Sequence, residues 1–168
     1  DYSQIRASPN EATRLVFSSL LTLIPIFYCF CVKPINWVWL IIALFQGYAS
    51  VTYWLYPKVG TRFYIDCSTA IVGVIAAFLS GIVDSELIII ITFFLGIGMF
   101  ILSSYLWKPP CKKKKIDKKV IIFSEKVSDY WSICHIIFHC LMTYSITKLI
   151  ENKSKDKIFD ANSVYFVG

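Results

Sequence analysis

The sequence predicts an all-α, polytopic membrane protein, a bundle of about five transmembrane helices. Three observations predict it. Of the 168 residues, 57% are hydrophobic, against about 45–50% in soluble domains. Only 17% are charged, where a soluble domain carries roughly 25%. The apolar residues also gather in blocks of about 20, the length that carries a helix through about 30 Å of hydrocarbon. A soluble core would show shorter, periodic runs.

The elements follow in order. Ser8-Pro9-Asn10-Glu11 is a helix start, with Ser as N-cap, Pro at the first helical position and Glu three residues after the cap. Segment one spans 9–32, with a kink expected at Pro25. Lys33-Pro34-Ile35-Asn36 turns the chain into segment two, 37–56, which stops at Pro57-Lys58-Val59-Gly60. Segment three covers 63–83, and Asp84-Ser85-Glu86 forms a tight polar turn. Segment four, 87–107, is the most uniformly apolar. A basic loop, 108–128, leads to segment five, 129–150, and a polar tail, 151–168. Residues 1–150 thus make one transmembrane domain. Trp37, Trp39, Trp54, Trp107 and Trp131 lie toward block ends, as interfacial belts do. The first block is long and preceded by a capped polar stretch, so no cleavable signal peptide is expected.

The net charge of +6 does not point to nucleic acid. Eight of the 17 Lys and Arg residues fall between Lys108 and Lys126, between two apolar blocks. In that place basic residues set topology, and Lys112–Lys119 are expected to meet anionic lipid headgroups. No nucleic-acid module accompanies them. With five spans, the side holding the N-terminus and the loops after segments two and four collects twelve cationic residues, and the other side five. The N-terminus is therefore expected in the cytoplasm and the C-terminus outside or in a lumen, in the plasma membrane or an endomembrane. On that outer side the sequon Asn152-Lys153-Ser154 lies too near the bilayer to be used. Six cysteines show no paired spacing, so no disulfide framework follows. Cys111, beside the basic run, reads as an unmodified loop thiol before a palmitoylation site.

Segment three carries Thr69, Gly73, Ala77 and Gly81 at four-residue spacing, and segment two adds Ala43 and Gly47. In lipid such stripes let helix backbones approach, so they are read as packing faces, within the chain or with other membrane subunits.

Ionisable groups inside a span are expensive and each calls for a reason. Asp66 sits about one turn into segment three. His135 and His139, the only two histidines, share one face of segment five, with Ser132 and Thr143 extending it. On segment two, Gln46, Ser50 and Trp54 share a face that Tyr53 adjoins. Topology puts Ser50, Tyr53, Asp66, His135 and His139 in the same half of the membrane, which favours one buried polar site. Two readings fit it. The His pair offers two nitrogens to a metal, zinc first, with Asp66 or one of Cys67, Cys134 and Cys140 as further donor. Alternatively the histidines hydrogen-bond across helices to Asp66, Ser50 or Tyr53 with no metal. A haem is excluded, because two histidines one helical turn apart cannot take opposite axial positions.

At these residues the chain resembles the CREST superfamily, which groups alkaline ceramidases, progestin and adipoQ receptors, Per1-like and myomaker-like proteins. That family pattern is Ser, then His four residues on, then Asp about a dozen residues later, and HxxxH in the last helix. Here Ser50-Val51-Thr52-Tyr53-Trp54 matches the first element with Trp54 in the His place. Asp66 falls at the right distance, and His135 to His139 matches the last element. The resemblance implies a zinc-dependent lipid amide hydrolase, with His135 and His139 as metal ligands, Asp66 holding the water and Ser50 stabilising the oxyanion. Trp54 removes one ligand from that set, and one span rather than three separates segment three from the histidines.

The leading functional expectation is a non-catalytic accessory or scaffold subunit of a membrane assembly, or a lipid-binding bundle with a buried Ser/Asp/His cluster. Its expected partners are membrane lipid and other membrane proteins. The alternatives are a divergent metal-dependent lipid amide hydrolase and a small transporter or channel subunit.

Overall fold

The computed structural model describes residues 7–31, 37–107 and 130–163, with side chains up to residue 153. The basic loop, with Cys111 and Lys112–Lys119, lies outside the described residues, as does the Lys33–Asn36 turn. The described residues are helical, and five helices are long and apolar enough to cross a membrane. The protein is an integral membrane protein.

Helix α1, Pro9–Ser19, starts as its sequence dictates. The Glu11 N–H donates to Ser8 Oγ at 3.4 Å, and the Ser8 N–H donates to Glu11 Oε2 at 2.8 Å. A cap of this kind stabilises a helix by about 1 kcal/mol. The helix tightens into a 3-10 turn at Leu20–Thr22 before α2, Leu23–Cys31. The cause is Pro25, which has no N–H and whose ring crowds the Leu21 carbonyl four residues back. The distortion expected at Pro25 is therefore seated one turn ahead of it. Together α1 and α2 make a single span of 23 residues.

Three spans of bilayer length follow. They are α3, Trp37–Leu55, α4, Thr61–Leu79, and α5, Leu87–Leu106. Between α4 and α5, Gly81 takes φ +77°, a conformation costly for any side chain, and starts the 3-10 turn Ile82–Asp84. The last helix, α6, runs from Tyr130 to Ser163. Its apolar part ends near Lys153, so residues 151–163, read above as a polar tail, continue the helix. No Gly or Pro interrupts 130–163, and Lys148 pairs with Glu151 at 2.7 Å across the apparent boundary.

The helices pack in the spatial order α4, α3, the α1–α2 span, α6 and α5. Antiparallel α5 and α6 pack closely, pairing Thr92 with Ser145, Gly96 with Met142, and Phe100 with Phe138. The α1–α2 span lies between α6 and α3, and α3 packs against α4. Phe78 of α4 meets Phe93 and Phe94 of α5 beside the Gly81 turn. Two apolar clusters fill the ends. One, at the Gly81 end, centres on Trp39, Ala77, Phe93, Leu149 and Ile150. The other gathers Leu15, Tyr53, Trp54 and Trp131. On the outer surface, side chains such as Phe17, Phe27, Phe45, Leu79 and Tyr105 are exposed. That surface suits hydrocarbon and not water.

Candidate functional site

The polar residues lie at two levels, both nearer the end of the bundle where α3 finishes and α4 and α6 begin. Ser50, Asp66 and His135 are each five residues inside their helix end, or about 8 Å at the helical rise. Gln46, His139 and Ser18 are each nine residues inside, or about 14 Å. The convergence expected from the sequence thus holds in the geometry, with Ser18 added to it.

Partners not expected from the sequence join them. Ser18 Oγ is 2.8 Å from His139 Nδ1, and Ser103 Oγ is 3.3 Å from His135 Nδ1. Ser19 Oγ and Ser50 Oγ are 2.9 Å apart. Gln46 Nε2 donates to Asp66 Oδ1 at 3.4 Å. The two imidazoles stand edge to face with centroids 4.9 Å apart. A ladder of short side chains therefore joins α3, α1, α6 and α5 across the bundle. Ser50, Asp66, His135 and His139 are all buried within it. Ser18, Ser19 and Ser103 were not singled out in the sequence. A serine in an apolar helix satisfies itself on its own carbonyls, as Ser18 and Ser19 also do on Leu15. Composition alone carries no signal for the second bond.

An aromatic layer covers the nearer end of the ladder. Trp54, 2% exposed, sets its ring edgewise to His135 at 5.2 Å. It also lies 4.4 Å from the Tyr53 ring and 6.1 Å from that of Trp131. Phe63 completes the layer against Tyr53. Trp131 is itself fixed by its indole N–H, which donates to Glu11 Oε1 at 2.8 Å.

The residues do not fit a catalytic zinc. Such a centre takes three protein ligands and a water. The α3 ring against His135 is the indole of Trp54, whose N–H can donate but not ligate. The hydroxyl of Ser50 is joined to Ser19, and Cys140 is exposed on the outer surface. Among the described residues no three His, Cys, Asp or Glu side chains gather closely enough to hold a metal.

On the other side of the ladder lies a cavity of about 360 Å³, lined in part by the apolar cluster at the Gly81 end. Gln46, Ser50, His139 and Thr143 form its polar wall. The rest of its lining is chiefly apolar, including Trp39, Ile42, Gly73, Val74, Phe100 and Met142. Ile71 and Ile75 also line it, and both are more than half exposed, so it opens along the flank of α4. Cys67 borders it as well. Gly73, read above as part of a packing stripe, faces this space, and a Cβ built on it would meet only Ile42 at 4.0 Å.

Fold and site together define a class: a five-span helical membrane protein with a cavity open along its lipid-facing flank. Comparison with protein-family models, with curated proteins and with solved structures finds no match.

Proposed function

We propose that the protein is a non-catalytic, lipid-binding membrane bundle whose cavity holds one hydrocarbon chain. The cavity carries this reading. Its volume falls within the range of small-molecule sites, roughly 300–1,000 Å³. From Ser50 to Trp39 it follows α3 for eleven residues, or about 16 Å. A length of that order accommodates an extended stretch of hydrocarbon chain. The opening beside Ile71 and Ile75 lies in the part of α4 that hydrocarbon bathes, so a chain enters from the bilayer and not from water.

Binding is favoured over hydrolysis by the arrangement of the polar groups. The aromatic layer of Tyr53, Trp54, Phe63 and Trp131 stands between the histidines and the nearer aqueous phase. The hydroxyls that would assist a reaction are bonded to one another or to imidazole. In this reading the N-terminus is cytoplasmic by its excess of basic residues, and Lys112–Lys119 hold anionic headgroups at that surface.

The test is photolabelling in phosphatidylcholine vesicles with a hexadecyl chain carrying a diazirine. Labels are expected on the cavity faces of α3 and α4. Gly73→Leu adds a side chain where there is room for it, and should cut those labels about tenfold by filling the space. Labelling of the outward faces around Phe45 and Leu79 should not change. Equal labelling of the cavity faces in both proteins would overturn the proposal.

A further inference from the structure

We infer that α6 carries the polar end of the site, His139 Nε2 accepting a hydrogen bond from the ligand and the Thr143 hydroxyl donating one; the inference rests on the lipid-binding reading above. The face that α6 turns to the cavity is Phe138, His139, Met142, Thr143 and Ile146. His139 is only 8% exposed. Its Nδ1 is 2.8 Å from Ser18 Oγ, which fixes the ring. Nε2 has no hydrogen-bond partner among the described residues and, unlike Gln46 Oε1 and Trp54 Nε1, is not sealed in the packing. Thr143 is open in the same way. Thr13, Thr52, Thr92 and Thr147 each return the hydroxyl to the carbonyl four residues back. The Thr143 hydroxyl makes no such bond and is not sealed either. Residues four apart on a helix lie about 5–6 Å from each other at Cβ, so one ligand oxygen can reach both.

Proton placement bounds the chemistry of that oxygen. Ser18 has one hydroxyl proton and donates it to the Leu15 carbonyl at 3.0 Å. The contact with His139 therefore uses the ring's own proton, with Nδ1–H donating to Ser18 Oγ. In the uncharged ring Nε2 is then a bare acceptor, and it calls for a donor. Thr143 in turn can donate to the same ligand atom. An ether or ester oxygen only accepts and serves Thr143 alone, whereas a hydroxyl serves both residues. Charged ends find no counterpart, because no Lys, Arg, Asp or Glu lines the cavity among the described residues. His139 also lies nine residues inside α6, about 14 Å from the helix end, where an added charge is expensive. The ligand class is an uncharged lipid alcohol, its hydrocarbon lying against Ile42, Val74, Ile97 and Met142.

Competition against the diazirine probe tests the inference on the whole chain in phosphatidylcholine vesicles. The competitors are hexadecanol, its methyl ether and hexadecanoate. On the wild type, hexadecanol should compete about fivefold better than the ether, the effect of one hydrogen bond. Hexadecanoate should be weaker than both. His139→Phe keeps a flat ring and removes both nitrogens, so alcohol and ether should then compete equally. Thr143→Val removes a bond that both competitors make, so it should weaken them alike and leave their ratio near fivefold. If alcohol and ether compete equally on the wild type, or if the ratio survives His139→Phe, the assignment to Nε2 falls while the cavity still binds a chain. If Thr143→Val weakens neither, the donor role of Thr143 falls. If hexadecanoate competes best, the uncharged end is wrong. If none of the three displaces the probe, the lipid-binding reading itself fails.

Discussion

The interface between α5 and α6 and the interface between α3 and α4 are built from similar residues and do opposite things. On α5, Gly96 lies so close to α6 that an added Cβ would meet Met142 Sδ at 3.1 Å and Cγ at 3.3 Å. Hydroxyls lock the same seam, with Thr92 and Ser145 oxygens 2.8 Å apart. On α4, Gly73 has no such neighbour, and the space beside it is the cavity. A small residue in a transmembrane helix therefore permits close approach without enforcing it. What decides is the surroundings. Near Gly96 the facing helix supplies a long flexible thioether, whereas near Gly73 the only neighbour within 4 Å of an added Cβ is the end of the Ile42 side chain.

Three substitutions test that contrast, each read by reversible unfolding in mixed detergent micelles. Gly96→Val should have the largest effect, a loss of about 1–3 kcal/mol, because both branches press into Met142 and Leu141. Ser145→Ala should cost about 0.6 kcal/mol, the usual value of a hydrogen bond between membrane helices; a loss several times larger would show that the seam depends on polar contacts more than on packing. Gly73→Val should change stability by less than about 0.5 kcal/mol. A Gly73→Val loss equal to that of Gly96→Val would erase the distinction between the two interfaces.

The five spans were legible because length and hydropathy are counted, and each helix falls close to its expected limits. Boundaries moved where local covalent chemistry acts at a distance. Pro25 breaks the helix at Leu20–Thr22, since the clash is with the carbonyl four residues earlier. The final helix runs past residue 150 because charge does not end a helix; Gly and Pro do. At the site, Asp66, His135 and His139 stood out because ionisable groups in apolar helices are rare, and Ser50 entered through its spacing. Gln46 was noticed only as a face-mate of Ser50. The cavity was illegible, because a void is the absence of contacts between distant segments. Gly73 looked the same as a packing glycine. Trp54 was placed on the Ser50 face from spacing alone, and its ring lies against His135.

The bonds from α1 to α6 have a consequence for how the protein is made. Glu11 and Trp131 are 120 residues apart in the chain, and Ser18 and His139 are 121 apart. A ribosome adding about 5–20 residues each second leaves the first span in the membrane for on the order of ten seconds before the last one emerges. During that wait Glu11 has no indole to receive, and Ser18 has only its own helix to bond. Biogenesis thus includes a stage in which the first span lacks its contacts with the last, and those contacts form only when the final span arrives.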